Sequence, residues 1–432
     1  MLENYAEIHT LINKQALNNK ILDSKKGKYW YPLSFPTYDA DEIMEALDSM
    51  VNFKTTMWEK TTEFEQKFGD KFGGEGIMVN SGSSADLLIA FGLSEKSGGP
   101  LPVGAEVLVP SVTWPTQIWS LIMAGFKVKL IDTSTSNLNM CLTDLEKNIT
   151  NKTKAISIVH LMGNPMNMDK ILELCLKHDL ILIEDCCESL GSKWSNNFVG
   201  SFGLASSFSF FFSHHMTTME GGMITTKNKG FAENIRLLRA HGWSRNLKNS
   251  SNINTLTNDL RYKDIDPRYL FLNWGFNVRP TELQAGFGLR QLEKVDHFEK
   301  SRIGNANRFM SKLSRYSDYL SFMNLDAKSY CSWFAIPILI NSNSKLISVA
   351  DLKHFLDFNG VETRPIVTGN IARHPAVEKF RSEIEWGHLP GSDFIHENGF
   401  YIGLHPIEND PNIDKLVNLI DQFFEQQYGV II

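Results

Sequence analysis

Between residues 40 and 300 the chain alternates apolar positions at helical spacing with short apolar runs. Segments 41–50 and 61–72 read as helices, the second with apolar positions on one face. Six short runs read as strands: 106–110, 127–132, 155–161, 180–184, 206–212 and 222–226. Leu180-Ile181-Leu182-Ile183 is apolar on both faces, the pattern of a parallel strand covered by helices on each side. Segments 144–148 and 168–178 fit crossover helices. This alternation predicts an α/β domain over 37–300 with a mostly parallel central sheet, whose ligands sit off the carboxyl ends of the strands.

Residues 1–36 form a lead-in of weak helical pattern that ends in an aromatic, Pro-broken stretch, 29–36. Segment 244–272 is polar and Asn-rich without clear periodicity, so a long loop is expected there. A helix is expected from near Pro280 through Leu292, continuing with a kink toward Leu313. A smaller C-terminal α/β domain, 301–432, follows, with strand 333–340, helix 347–359 and strand 361–367. The last helix, 411–426, has Asp410 as N-cap and Pro411 in its first position.

Composition narrows the function. The 43 basic and 49 acidic side chains give a net charge of −6, without the basic excess expected of a nucleic-acid protein. No run of 18 apolar residues is present, and the start lacks a cationic and then apolar leader pattern, so a cytoplasmic protein without membrane contact is expected. Five cysteines, at 141, 175, 186, 187 and 331, are too few and too scattered for a disulfide framework. Adjacent Cys186 and Cys187 lack zinc-pair spacing and read as core thiols; no metal site is expected.

Four features fall at strand ends or helix starts, and each alone has a plain reading. Asn80-Ser81-Gly82-Ser83-Ser84-Ala85-Asp86 opens a helix with backbone N–H groups available to a phosphate, or is simply capped by serine. Glu184-Asp185-Cys186-Cys187-Glu188 puts carboxylates at the end of a buried strand, where they cap a helix, hold a metal or pair with a protonated heteroaromatic nitrogen. Segment 209–222 runs from an aromatic strand into His214 and His215 and then Glu220-Gly221-Gly222. Adjacent histidines on an extended chain point to opposite faces, so one at most serves a given site. Trp114, just past strand 106–110, either stacks on a flat ligand or packs.

In this order and spacing, the four features resemble the sugar aminotransferase family of pyridoxal-phosphate enzymes, from about residue 40 to the C-terminus. The resemblance implies an aspartate-aminotransferase-like fold (fold type I). It implies that Gly82, Ser83 and Ser84 bind the cofactor phosphate with Ser209, and that Trp114 stacks on the pyridine ring. Asp185 would pair with the ring nitrogen and Glu188 with the ring hydroxyl. Asn277 would reach the phosphate of a neighbouring subunit, which implies a homodimer with composite active sites.

The family's cofactor-binding lysine lies five residues after that serine and six before the acidic residue of the Glu-Gly-Gly turn. Both counts land on His214, and no lysine occurs between Lys193 and Lys227. Imidazole cannot make the lysine's covalent bond to the cofactor. The segment is similar to that of the sugar 3-dehydratases in the family, which carry histidine here and remove the C3 hydroxyl of a nucleotide-linked 4-keto-6-deoxy sugar. One branch uses an iron–sulfur cluster and a partner reductase; the loop Gly242–Asn273 of this chain holds no cysteine, so no such reductase partner is expected. The other branch acts on GDP-linked sugars and takes nitrogen from L-glutamate. The segments 239–246 and 364–370 resemble that branch and make His241, Arg245 and Arg364 candidate substrate-binding residues. On this resemblance the chain binds pyridoxal 5'-phosphate and pyridoxamine 5'-phosphate without a covalent link. His214 is then the proton carrier, its ordinary pKa being near neutrality. The rival readings are a sugar aminotransferase, an inactive structural or regulatory family member, and a hydrolase with a metal on His214, His215 and Glu220.

Overall fold

The computed structural model describes residues 4–247, 261–262, 264–341 and 347–428. Strands β1 (Glu75–Val79), β2 (Glu106–Pro110), β3 (Lys127–Ile131), β4 (Thr153–Val159) and β5 (Ile181–Asp185) are followed by the short pair β6 (Lys193–Trp194) and β7 (Asn197–Phe198). Then come β8 (Ala205–Ser209), β9 (Gly222–Thr226), β10 (Leu320–Phe322), β11 (Ser329–Tyr330), β12 (Ile336–Ile340), β13 (Thr363–Arg364), β14 (Ile384–Trp386) and β15 (Gly399–Ile402). The large sheet has the order β1-β9-β8-β5-β4-β2-β3-β14, with β9 antiparallel to both its neighbours and the other pairs parallel. A second, antiparallel sheet has the order β10-β12-β15-β13. The mostly parallel α/β sheet and the smaller C-terminal sheet agree with the hydrophobic pattern.

Both faces of the large sheet are covered. The helix Met168–His178 buries Met168, Ile171, Leu174 and Cys175, is capped by the Asn167 side chain, and ends on Asp179 in the left-handed region. The helix Gly82–Leu93 covers the other face with Ala85, Leu88 and Ile89, while on the same face as Met168–His178, nearer β1, the helix Glu59–Phe72 buries Phe64, Phe68 and Phe72, each worth roughly 2 kcal/mol of transfer free energy. Their rings pack on Phe208 and Phe210, which lead into the histidine segment. The open N–H groups of that helix are collected by Glu282, which accepts from Trp58 N (2.6 Å), Lys60 N (2.6 Å) and Thr61 N (3.2 Å).

Several expected boundaries move, for local reasons. The strand expected over 155–161 ends at Val159, because Met162 takes a positive φ of 54° and turns the chain. The strand expected over 206–212 stops at Ser209, opposite Gly222, so both histidines lie on a turn rather than on extended backbone. The strand expected from 333 begins at Ile336, since Trp333 has φ 51°. Strand 361–367 shrinks to Thr363–Arg364. The helix expected near Pro280 starts at Glu282 under a Thr281–Gln284 capping box and runs unbroken to Leu313, without the kink. Most of the polar loop, residues 248–260 and 263, lies outside the described residues.

The lead-in is more ordered than its pattern implied. Tyr5–Lys26 is helical, and Tyr31 is fully buried in the C-terminal core. Tyr31 N donates to Gly360 O and Glu362 N donates to Tyr31 O, laying this segment beside Val361. Among the described residues all cysteines are free and no helix is long and apolar enough to cross a membrane.

Candidate active site

A cavity of about 660 Å³ opens where the carboxyl ends of β2, β4, β5 and β8 meet the smaller antiparallel sheet. The helix Gly82–Leu93 starts at its floor. Ser81 caps it by accepting from Ser84 N (3.1 Å), and Ala85 N donates to Ser81 O. Among the described residues, the amides of Gly82 and Ser83 carry no bond within the chain. The cup is tight: a Cβ on Gly82 would stand 2.6 Å from Ser209 Cβ, and one on Gly222 would stand 2.4 Å from Ser81 O. Glycine is therefore required at both positions, and the site gains two free amides beside the Ser209 hydroxyl. Ser84 is otherwise engaged, since its Oγ donates to Asn80 Oδ1 (2.6 Å).

Asp185 ends β5 with its side chain on the cavity. Its Oδ1 accepts from Cys187 N (2.9 Å), and burial raises its pKa against the pull of that bond. Asp86, one turn into the Gly82 helix, lines the same floor and is pushed well above the carboxylate range by burial and by Asp185. Glu188 is raised to about 7, mainly by burial, while Met162 N donating to its Oε2 (3.0 Å) pulls the other way. Cys187, expected as a core thiol, instead lines the cavity; only Cys186 of the pair is fully buried. The chain leaves the strand at Asp185, and its next two residues face different ways.

The turn after Ser209 is held by Phe210, whose N donates to Gly221 O and whose carbonyl accepts from Thr218 N. On it, His214 is half-buried and opens onto the cavity, its ring 5.2 Å from that of Phe334 and its Nδ1 without a partner. His215 turns inward to Ser332 Oγ (3.0 Å) and does not line the cavity. Burial first, and then the nearby Arg302, lower His214 to about 4 and His215 further. Both imidazoles are thus neutral at neutral pH.

Trp114, Ser209, Glu220 and Arg364 also line the cavity. Trp114 is 59% exposed there, a wasteful position for a ring that only packs. Arg364 is paired with Glu362 (2.9 Å), whose other oxygen accepts from Leu33 N and fixes Leu33 and Ser34 in the cavity wall. His241, Arg245 and Asn277 stay outside the cavity of their own chain. Arg245 lies over the Trp243 ring, and Asn277 accepts from Arg279 Nε. Among the described residues, no lysine lines the cavity. Sequence reasoning missed Asp86, Phe334, Glu362 and Tyr401. Asp86 was visible as the one charge in an apolar helix, whereas the other three arrive only by tertiary packing.

The DegT/DnrJ/EryC1/StrS aminotransferase family matches this sequence over residues 36–421. The chain belongs to the DegT/DnrJ/EryC1/StrS family. The family is pyridoxal-phosphate dependent, and solved relatives hold the cofactor. GDP-4-keto-6-deoxy-D-mannose 3-dehydratase of Escherichia coli O55:H7 is 36% identical over 388 residues, 89% of this chain and 98% of the relative. The structure of the E. coli GDP-4-keto-6-deoxy-D-mannose-3-dehydratase with bound hydrated PLP superposes with a TM-score of 0.84 at 34% identity, covering 90% of this chain and 98% of that one. A GDP-4-keto-6-deoxymannose-3-dehydratase with a trapped PLP-glutamate geminal diamine gives the same score and identity over 90% and 99%. The fold is therefore that of fold-type I sugar aminotransferases, as the resemblance implied. The residues present suit the DegT/DnrJ/EryC1/StrS cofactor: open amides and a hydroxyl for a phosphate, an exposed indole for a ring, and a buried carboxylate for a ring nitrogen.

Proposed function

We propose that this enzyme removes the C3 hydroxyl of a GDP-linked 4-keto-6-deoxy sugar, a hexose or a 6-deoxy-heptose, in deoxysugar synthesis for surface polysaccharide, and that L-glutamate supplies its nitrogen. The observation that carries this reading is His214 at the cavity wall, with no lysine among the lining residues described. The 3-dehydratase relatives and the PLP-glutamate adduct in one of them support it.

Pyridoxamine phosphate, when bound, would supply a nucleophilic amine for the C4 ketone and an electron-accepting ring. The amides of Gly82 and Ser83 and the hydroxyl of Ser209 hold its phosphate, and Trp114 covers its ring. Asp185 keeps the proton on the ring nitrogen, and Glu188, protonated up to about pH 7, donates to the ring hydroxyl. His214, neutral and opening onto the cavity, would take the C4′ proton and return one to the departing C3 hydroxyl, which would leave as water. Overall, glutamate and the sugar give 2-oxoglutarate, ammonia and the 3-deoxy-4-keto sugar. Asn277 would reach the phosphate of a second copy of the chain in a homodimer, a reading that its place outside its own cavity supports.

Incubation of the purified protein with pyridoxal phosphate, glutamate and a panel of GDP-4-keto sugars tests this by mass spectrometry. Loss of one sugar oxygen is expected, with one 2-oxoglutarate and one ammonia per turnover and no need for iron or NADH. A product that gains an amino group would make the enzyme an aminotransferase instead.

A further inference from the structure

Arg302 lies within the helix Glu282–Leu313 and is 4% exposed. Among the described residues, no carboxylate comes within 4 Å of it; it is paired with backbone instead. Its Nη1 donates to Phe334 O (2.9 Å) and approaches Trp333 O (3.4 Å), while Nε has no partner. A buried guanidinium without a counter-charge is expensive, so its retention calls for a use.

The segment it holds, Ser332-Trp333-Phe334, is itself constrained. Trp333 is 1% exposed and sits at φ 51°, a conformation that a bulky residue keeps only when its surroundings enforce it. Gly163 makes room for it, since a Cβ there would stand 2.6 Å from Trp333 N. Phe334 N donates to Met162 O (3.1 Å), and Met162 N is the donor to Glu188. The Phe334 ring meets His214 at 5.2 Å and His215 at 6.0 Å, and Ser332 Oγ bonds His215. One three-residue segment thus joins Arg302 to both histidines.

We propose that Arg302 is the positioning residue of His214: it pins the carbonyls of Trp333 and Phe334, so fixing the ring on which the imidazole rests, and sets a permanent positive charge behind it. The inference rests on the reading of His214 as the base. Cofactor phosphate and nucleotide diphosphate bring negative charge into the cavity and would draw a proton onto the imidazole, leaving no base. Arg302 opposes that. Among the described residues, Arg302 acts on both His214 and His215, the cavity that His214 opens onto also carries Asp185, Glu188 and Glu220, and Tyr31 faces Arg302 from the lead-in. Burial lowers Arg302 only to about 10, so it stays charged at neutral pH.

The test is an NMR titration of 13C-histidine-labelled full-length protein without cofactor, with the His214 signal assigned by its loss in His214→Asn. In the wild type the midpoint is expected below pH 5. Arg302→Met should raise it by about one unit, a ~tenfold gain in proton affinity, and Arg302→Lys should restore most of the depression. The acid limb of kcat/KM against pH should move with it. A wild-type midpoint at 6 or above, or an unmoved midpoint in folded Arg302→Met, would overturn the proposal; the first needs no variant to fold. Failure of the dehydratase reading would leave the titration intact and appear only in the product analysis.

Discussion

Glu184 and Asp185 are consecutive, both buried, and both at the end of β5, yet they have opposite surroundings. Glu184 accepts from Gly200 N (2.7 Å), Phe202 N (2.8 Å), Gly203 N (2.6 Å) and His160 Nε2 (3.1 Å). Asp185 takes one backbone amide and faces the cavity. The histidines repeat the contrast. His160 uses both nitrogens, Nδ1 accepting from Met166 N (3.0 Å), so although His160, Glu184 and Cys186 lie within metal-ligand reach of one another, neither nitrogen is left for an ion. His214 leaves Nδ1 unused. A buried polar group with every bonding position filled builds the fold, whereas Asp185 and His214 keep bonding capacity and also line the cavity.

Substitutions on the two sides should therefore fail differently. His214→Asn is expected to lower turnover by about 10³-fold or more with little change in melting temperature, because an amide cannot carry the proton that the imidazole moves. Asp185→Asn should cost roughly 10³-fold in kcat, also in a folded protein, since an amide cannot hold the ring nitrogen protonated. Glu184→Gln should do the reverse. It strands a donor pair and is expected to cost about 3 kcal/mol in chemical denaturation, with near-normal kcat in the folded fraction. Loss of activity in Glu184→Gln without loss of stability would break the comparison. His215→Asn should fall between, at under about tenfold in kcat, since it reaches the site only through Ser332 and Phe334.

The smallest effect is on pH dependence. Glu188 has its folded pKa raised from 4.5 to about 7, so the folded state holds the extra proton and stability falls as pH rises through that window. His214 is lowered from 6.5 to about 4, so the unfolded state holds the extra proton and stability falls as pH drops through that window. Denaturation of the cofactor-free protein should show Glu188→Gln gaining about 1 kcal/mol relative to wild type between pH 5 and 8, after allowing for water in the cavity.

Much of this was legible in the residues. The uninterrupted apolar runs located the parallel strands, and two independent counts, from Ser209 and from Glu220, agreed on His214. Illegible were the points where the backbone bends against its residue type. Met162 and Trp333 take left-handed conformations that nothing in a methionine or tryptophan announces, and both strand boundaries moved for that reason. Equally hidden was whatever distant packing supplies: Arg302 stands behind His214 from 88 positions along the chain, and Glu362 anchors a lead-in whose weak pattern hid its place in the core. Cys187 was read as a core thiol because the pair lacks zinc spacing, whereas the turn after β5 buries Cys186 and leaves Cys187 on the cavity.

The reversed strand β9 has one further consequence. Ser209 and Gly222 face each other in register, so the sheet sees only the two ends of the turn between them. Phe210, His215 and Met216 of that turn are locked into the core, but His214 opens onto the cavity and can be exchanged without displacing a strand. A lysine in place of His214 would enter the same cavity on the same backbone, in reach of a covalent bond that imidazole cannot make. On the proposed function, reaction type then rests on the one side chain at position 214, while sheet, cup and carboxylate floor stay as they are.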